Sequence, residues 1–77
     1  MEIRINRRTL YTSRVTEFRK VRPGHWEGLA GGEPFTIEGG RAAGGSPRDW
    51  FLSWAPLSDC SFPCTSLVQA IRFIETT

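Results

Sequence analysis

Apolar and polar positions alternate at the start of the chain, where Ile3 and Ile5 stand between Glu2, Arg4 and Asn6. That two-residue period predicts a half-buried strand. From Thr9 to Val21 the β-branched residues Thr9, Thr12, Val15, Thr16 and Val21 favour an extended chain. Tyr11, Val15, Phe18 and Arg22 also fall at helical spacing, so over residues 9–22 the pattern favours a strand and leaves a helix open. Pro23-Gly24 ends the segment. Trp26 to Ala30, Gly31-Gly32 and Glu33 to Ile37 predict a two-residue hairpin, because paired glycines suit the positive φ angles of the tight turn. Closing it there sets Ala30 opposite Glu33, Gly28 opposite Phe35 and Trp26 opposite Ile37. Pro34 has no N–H and is expected to face away from a pairing partner.

Four glycines and Pro47 between Gly39 and Pro47 predict a mobile loop. Trp50 to Trp54 resumes as a strand, with Trp50, Leu52 and Trp54 on one side and Phe51 on the other. Pro56 stops it, and an irregular stretch carrying Cys60, Phe62, Pro63 and Cys64 follows. Leu67, Ala70, Ile71 and Ile74 form one stripe at i, i+3, i+4 and i+7, the mark of an amphipathic helix. Thr65 or Ser66 can cap it, and Ser66 with Gln69 has the spacing of a capping box. The expected fold is α+β: one domain over residues 1–77, a three- to four-stranded antiparallel sheet with one C-terminal helix packed on one face.

With 77 residues, such a domain has a thin core, although 39 % apolar and 12 % aromatic residues make it globular. Trp26, Trp50, Trp54, Phe35, Phe51, Phe62 and Phe73 compete for that core. A single short helix cannot cover both faces of a sheet, so some of Phe51, Trp54, Phe62 and Phe73 are expected at the surface, where aromatic side chains anchor macromolecular contacts. The N-terminus begins with charge and alternation rather than an apolar stretch, and no apolar run reaches the length of a membrane span. Two cysteines make no disulfide framework. These features lead to the expectation of a cytoplasmic protein.

Net charge is +2, unevenly spread. Residues 1–22 hold seven basic and two acidic side chains; residues 23–77 hold three basic and six acidic ones. Arg4, Arg14, Arg19, Lys20 and Arg22 interleave with Tyr11 and Phe18, a mixture that suits nucleic acid. As a strand, this segment would put Arg14, Phe18 and Lys20 on one face and Tyr11, Arg19 and Val21 on the other.

Catalytic chemistry finds little material. His25 needs a nucleophile or carboxylate within reach. Cys60 and Cys64 are spaced four apart, whereas redox pairs have two intervening residues, and Cys64 at the helix start is where a thiolate is favoured. With His25 they supply three ligands, short of a tetrahedral zinc site. Gly40 and Gly45 have the Walker spacing, but Ser46-Pro47 follows instead of lysine. The expectation is a non-catalytic binding protein with no cofactor, no metal, no membrane and no small-molecule substrate.

The order from Trp26 to Glu75, strands followed by the capped helix Thr65-Ser66-Leu67-Val68-Gln69-Ala70-Ile71, resembles the arm-binding domains of phage integrases and the plant AP2 domain. That resemblance implies a small DNA- or RNA-binding module. By size and organisation the chain also resembles phage-encoded inhibitors of CRISPR effectors, a class without a residue signature. This second likeness implies a partner in the host cytoplasm, a protein or ribonucleoprotein complex whose nucleic-acid site is occluded. It is the leading expectation. The partner-binding set would be Arg14, Phe18, Arg19, Lys20, Arg22, Arg41 and Arg48, with Glu33, Glu38 and Asp49 meeting a basic groove.

Overall fold

The computed structural model describes residues 1–57 and 61–77. Its elements in chain order are β1 (Glu2–Ile5), β2 (Arg8–Tyr11), β3 (Val15–Arg22), β4 (His25–Ala30), β5 (Glu33–Gly39), β6 (Trp50–Trp54), β7 (Phe62–Cys64) and α1 (Leu67–Thr76). β1 and β2 form a separate hairpin, and β3 to β7 form an antiparallel five-stranded sheet in sequence order. The α+β class stands, but the sheet is larger than expected and a second, two-stranded sheet accompanies it. β2 and β7 span four and three residues. Strands that short show too little alternation to be read, and Pro63 sits within one of them.

Residues 9–22 are two strands rather than one. Asn6, at φ 57°, turns β1 into β2, with Ile5 opposite Arg8. Thr12 closes this hairpin through its N–H on the Met1 carbonyl, and its hydroxyl reaches the Val15 carbonyl as the chain enters β3. Register shifts between Val15 and Glu17, and between Lys20 and Arg22, mark irregularities in β3.

The Gly31-Gly32 hairpin has the register that its sequence implies: Ala30 opposite Glu33, Gly28 opposite Phe35, Trp26 opposite Ile37. In such a two-residue turn the closing pair exchanges hydrogen bonds and the next pair does not. The Pro34 nitrogen therefore points away from β4, at a level where β6 has already ended at Trp54. Gly28 is held to glycine by space. A Cβ there would lie 2.2 Å from the Glu17 carbonyl oxygen and 2.6 Å from the Phe35 ring.

One sheet face is covered. Ranks running Trp26–Ile37–Leu52–Phe62 and Gly28–Phe35–Trp54 face Leu67, Ala70, Ile71 and Ile74 of α1 and Ile3, Ile5 and Leu10 of the hairpin, all in one core. The cover is therefore helix plus hairpin, since a helix alone is narrower than five strands. Trp54, expected among the surface candidates, is 5 % exposed and donates its Nε1–H to the Ala30 carbonyl. Phe62 and Phe73 are half-buried and stacked on each other. Phe51 points from the uncovered face and is 47 % exposed.

Ser66 caps α1, accepting the Gln69 N–H at 3.0 Å. The Gln69 side chain reaches back to the N–H of Thr65, one residue before the cap. At the far end of α1, the Glu75 carboxylate accepts N–H bonds from Ser13, Arg14 and Val15, tying the helix to the entry of β3. No helix among the described residues is long and apolar enough to cross a membrane.

Candidate functional site

Charge is sorted by the turns. The Asn6-Arg7 turn, the Pro23-Gly24 turn, the loop between β5 and β6 and the start of α1 all lie at one end of the sheet. Arg4, Arg7, Arg8, Lys20, Arg22, Arg41 and Arg48 come to this end. Among the described residues its acids are Glu38 and Asp49, and the Asp49 carboxylate accepts the Ser46 N–H at 3.3 Å. Among the described residues none of those seven cations makes an ion pair; the pairs are Arg19–Glu27 at 3.3 Å and the contacts of His25. An unneutralised cluster of this kind is an anion-binding surface.

The loop at this end is built rather than slack. Gly40 bonds the Asp49 carbonyl, a 3-10 turn spans Arg41–Ala43, and both Ala43 and Gly45 bond back to the Gly40 carbonyl. Trp50 donates its indole N–H to the Pro47 carbonyl at 3.1 Å and closes the loop base. The expected mobile segment is thus a folded one, which fixes Arg41 and Arg48 on the rim.

Between the loop, the β1–β2 turn and the start of α1 lies a cleft of about 480 Å³. Its lining includes Arg4, Asn6, Lys20, Trp26, Pro47, Trp50 and Ser66 and, among the described residues, no carboxylate. Trp26 is stacked on Phe18, with centroids 4.9 Å apart, and Lys20 Nζ lies 5.8 Å from its ring centre. A larger cleft of about 630 Å³ runs along the middle of β3, β4 and β5. It holds Glu17 and Glu27 against Arg19, and the Arg19–Glu27 pair cancels most of its charge. It is the weaker site for a polyanion despite its size, because its two carboxylates outnumber its one guanidinium and its lining holds no tryptophan.

The residues expected to bind a partner separate. Lys20, Arg22, Arg41 and Arg48 gather at the basic end, and Phe18 supports Trp26 beneath it. Arg19 lies on the uncovered face with Glu27. Arg14 does not share a face with Phe18 and Lys20; it sits in the β2–β3 connection at the opposite end, its N–H on Glu75. Glu33 is at that end too, in the Gly31-Gly32 turn. Glu38 lies beside His25, so Glu33, Glu38 and Asp49 form no common acidic surface. Sequence reading singled out Arg4 among the basic residues suited to nucleic acid but missed Arg7 and Arg8 as part of this surface. The asparagine between Ile5 and Arg8 was the available signal, since asparagine tolerates the positive φ of a turn.

His25 Nδ1 lies 2.8 Å from Glu38 Oε1 without hydrogen-bond alignment, and Nε2 lies 3.9 Å from Glu27 Oε2. Its rank continues through Glu38, Phe51 and Pro63, which bring no hydroxyl or thiol. Cys64 is buried, and burial pushes its thiol pKa up, which makes it a packed thiol rather than a helix-start thiolate. Cys60 and Asp59 lie outside the described residues. Among the described residues no three His, Cys, Asp or Glu side chains converge on one point. No family model matches the chain, and no curated protein or solved structure matches it either.

Proposed function

We propose that the chain is a non-catalytic module that binds nucleic acid through its basic end. The observation that carries this reading is the convergence of Arg7, Arg8, Lys20, Arg22, Arg41 and Arg48, from three separate segments, on one surface without carboxylate partners among the described residues. Unpaired cations on a rigid frame bind phosphates with release of counterions, which makes affinity fall steeply with salt. The frame here is rigid because the loop is hydrogen-bonded and the helix start is capped. The test is anisotropy of labelled DNA oligonucleotides, duplex and single-stranded, titrated at several salt concentrations. Binding to either form with a salt slope of about −0.7 to −0.9 per phosphate contacted supports the reading. Failure to bind both forms at low salt sinks it.

A second reading is an inhibitor that occludes the nucleic-acid site of a host nucleoprotein complex, such as a CRISPR effector. Phe51, large, apolar and 47 % exposed on the uncovered sheet face, favours it. This reading predicts indifference to bare nucleic acid, and loss of inhibition on Phe51→Ser with the arginines intact.

A further inference from the structure

We infer that the cleft behind the basic rim takes an unpaired base, so that the ligand is single-stranded nucleic acid rather than duplex. This deepens the nucleic-acid reading above and rests on it. Phosphate contacts alone do not discriminate, because a rim of arginines attracts any polyanion. The cleft adds what a rim lacks. Trp26 and Trp50 are both half-buried, so each keeps part of its ring open, and both line the same space of about 480 Å³. Small-ligand sites commonly occupy about 300–1,000 Å³, so the cleft has room for a base with its sugar.

The two rings are held, not loose. Phe18 stacks against Trp26 at an interplanar angle of 9°, leaving that indole a fixed orientation. Trp50 is fixed by its bond to the Pro47 carbonyl and packs over Gly40, where a Cβ would come within 2.8 Å of the ring. A preset aromatic wall captures a flat π-system without having to order itself first. Arg4 and Lys20, the cations of the cleft, can meet the phosphates on either side of a bound base. Asn6 adds an amide able to donate and accept. Among the described residues no carboxylate lines the cleft to repel those phosphates.

A paired base cannot enter. Its Watson–Crick edge and its stacking neighbours are occupied, and extrusion from a duplex costs a few kcal/mol. Stacking on an exposed ring favours single strands for the same reason, and it tolerates any sequence.

The experiment compares oligothymidylate, a duplex of equal length and polyglutamate, read by anisotropy and by tryptophan emission. The expected result is single-strand binding at least about tenfold tighter than duplex, with quenching of tryptophan. Trp54 is sealed in the core and serves as the silent reference, so Trp50→Phe should remove much of the quench while the fold persists. Arg4→Ala and Lys20→Ala, both at the surface, should each lower single-strand affinity with unchanged circular dichroism. Equal binding of duplex and single strand without quenching would overturn this inference and leave the nucleic-acid reading standing. Absence of binding to either would overturn both. Polyglutamate binding and quenching as strongly as oligothymidylate would show an acidic polypeptide to be the ligand class, and would overturn it as well.

Discussion

The two ends of the sheet are built on opposite plans. At the Gly31-Gly32 end, polar groups answer one another: Trp54 bonds Ala30, Thr12 bonds Met1 and Val15, and Glu75 gathers three N–H groups from Ser13 to Val15. At the Asn6-Arg7 end, the backbone is tied by its loop while guanidinium groups stand without carboxylate partners among the described residues. The contrast separates holding the fold together from meeting a ligand. Charges left unpaired cost stability through mutual repulsion, and the opposite end carries the clasps that offset it.

The largest expected effect breaks the tied end. Trp54→Ala empties a core position and removes the indole hydrogen bond to the Ala30 carbonyl, so urea unfolding should report a loss of about 3–5 kcal/mol. Whatever fraction stays folded should bind nucleic acid with unchanged affinity. Next comes the converse at the open end. Arg7→Ala, Arg41→Ala and Arg48→Ala combined should weaken nucleic-acid affinity by about tenfold or more and flatten its salt dependence. Stability should move by no more than about 0.5 kcal/mol per site, as for surface changes away from structural contacts. A triple variant that binds normally would erase the distinction between the ends.

Glu75 gives a smaller and pH-dependent effect. Burial on its own would raise the carboxyl pKa, but the N–H groups of Ser13, Arg14 and Val15 and the Ser13 hydroxyl favour the charged form and hold it below the ordinary glutamate value. A depressed folded-state pKa contributes stability above the unfolded value, about 4.3, and that stability disappears as pH falls through the folded value. Thermal melts of the native chain should thus fall off in the acid range, and Glu75→Gln should lose about 1 kcal/mol at neutral pH and flatten that fall. Smallest of all, Arg19→Ala removes an ion pair whose arginine is 77 % exposed. Chemical denaturation should detect less than about 0.5 kcal/mol.

How much of this was legible in the residues depends on the range of the signal. The Gly31-Gly32 hairpin was readable to the register, and the Trp50–Trp54 strand and the capped helix in type and position, because each rests on local periodicity and a local turn or cap. The β1–β2 hairpin was half visible. Ile3 and Ile5 alternate, but Leu10 alone marks the returning strand. β7 was hidden by Pro63 and by its length. The basic surface was legible only as an uneven charge count. Its assembly depends on which turns the topology brings together, and Arg41 and Arg48 lie far in sequence from Arg7. Trp54 was misjudged because counting rings against one helix omitted the hairpin that covers the remaining width.

The irregular register of β3 has a consequence for how anything can attach. One border of the five-stranded sheet is broken twice along its length, and the opposite border is three residues long with a proline at its centre. Neither offers a straight ladder of amides onto which a foreign segment, or another molecule of the same kind, could zip. Strand addition to this sheet is therefore disfavoured, and concentrated solutions should stay free of filaments zipped along its borders.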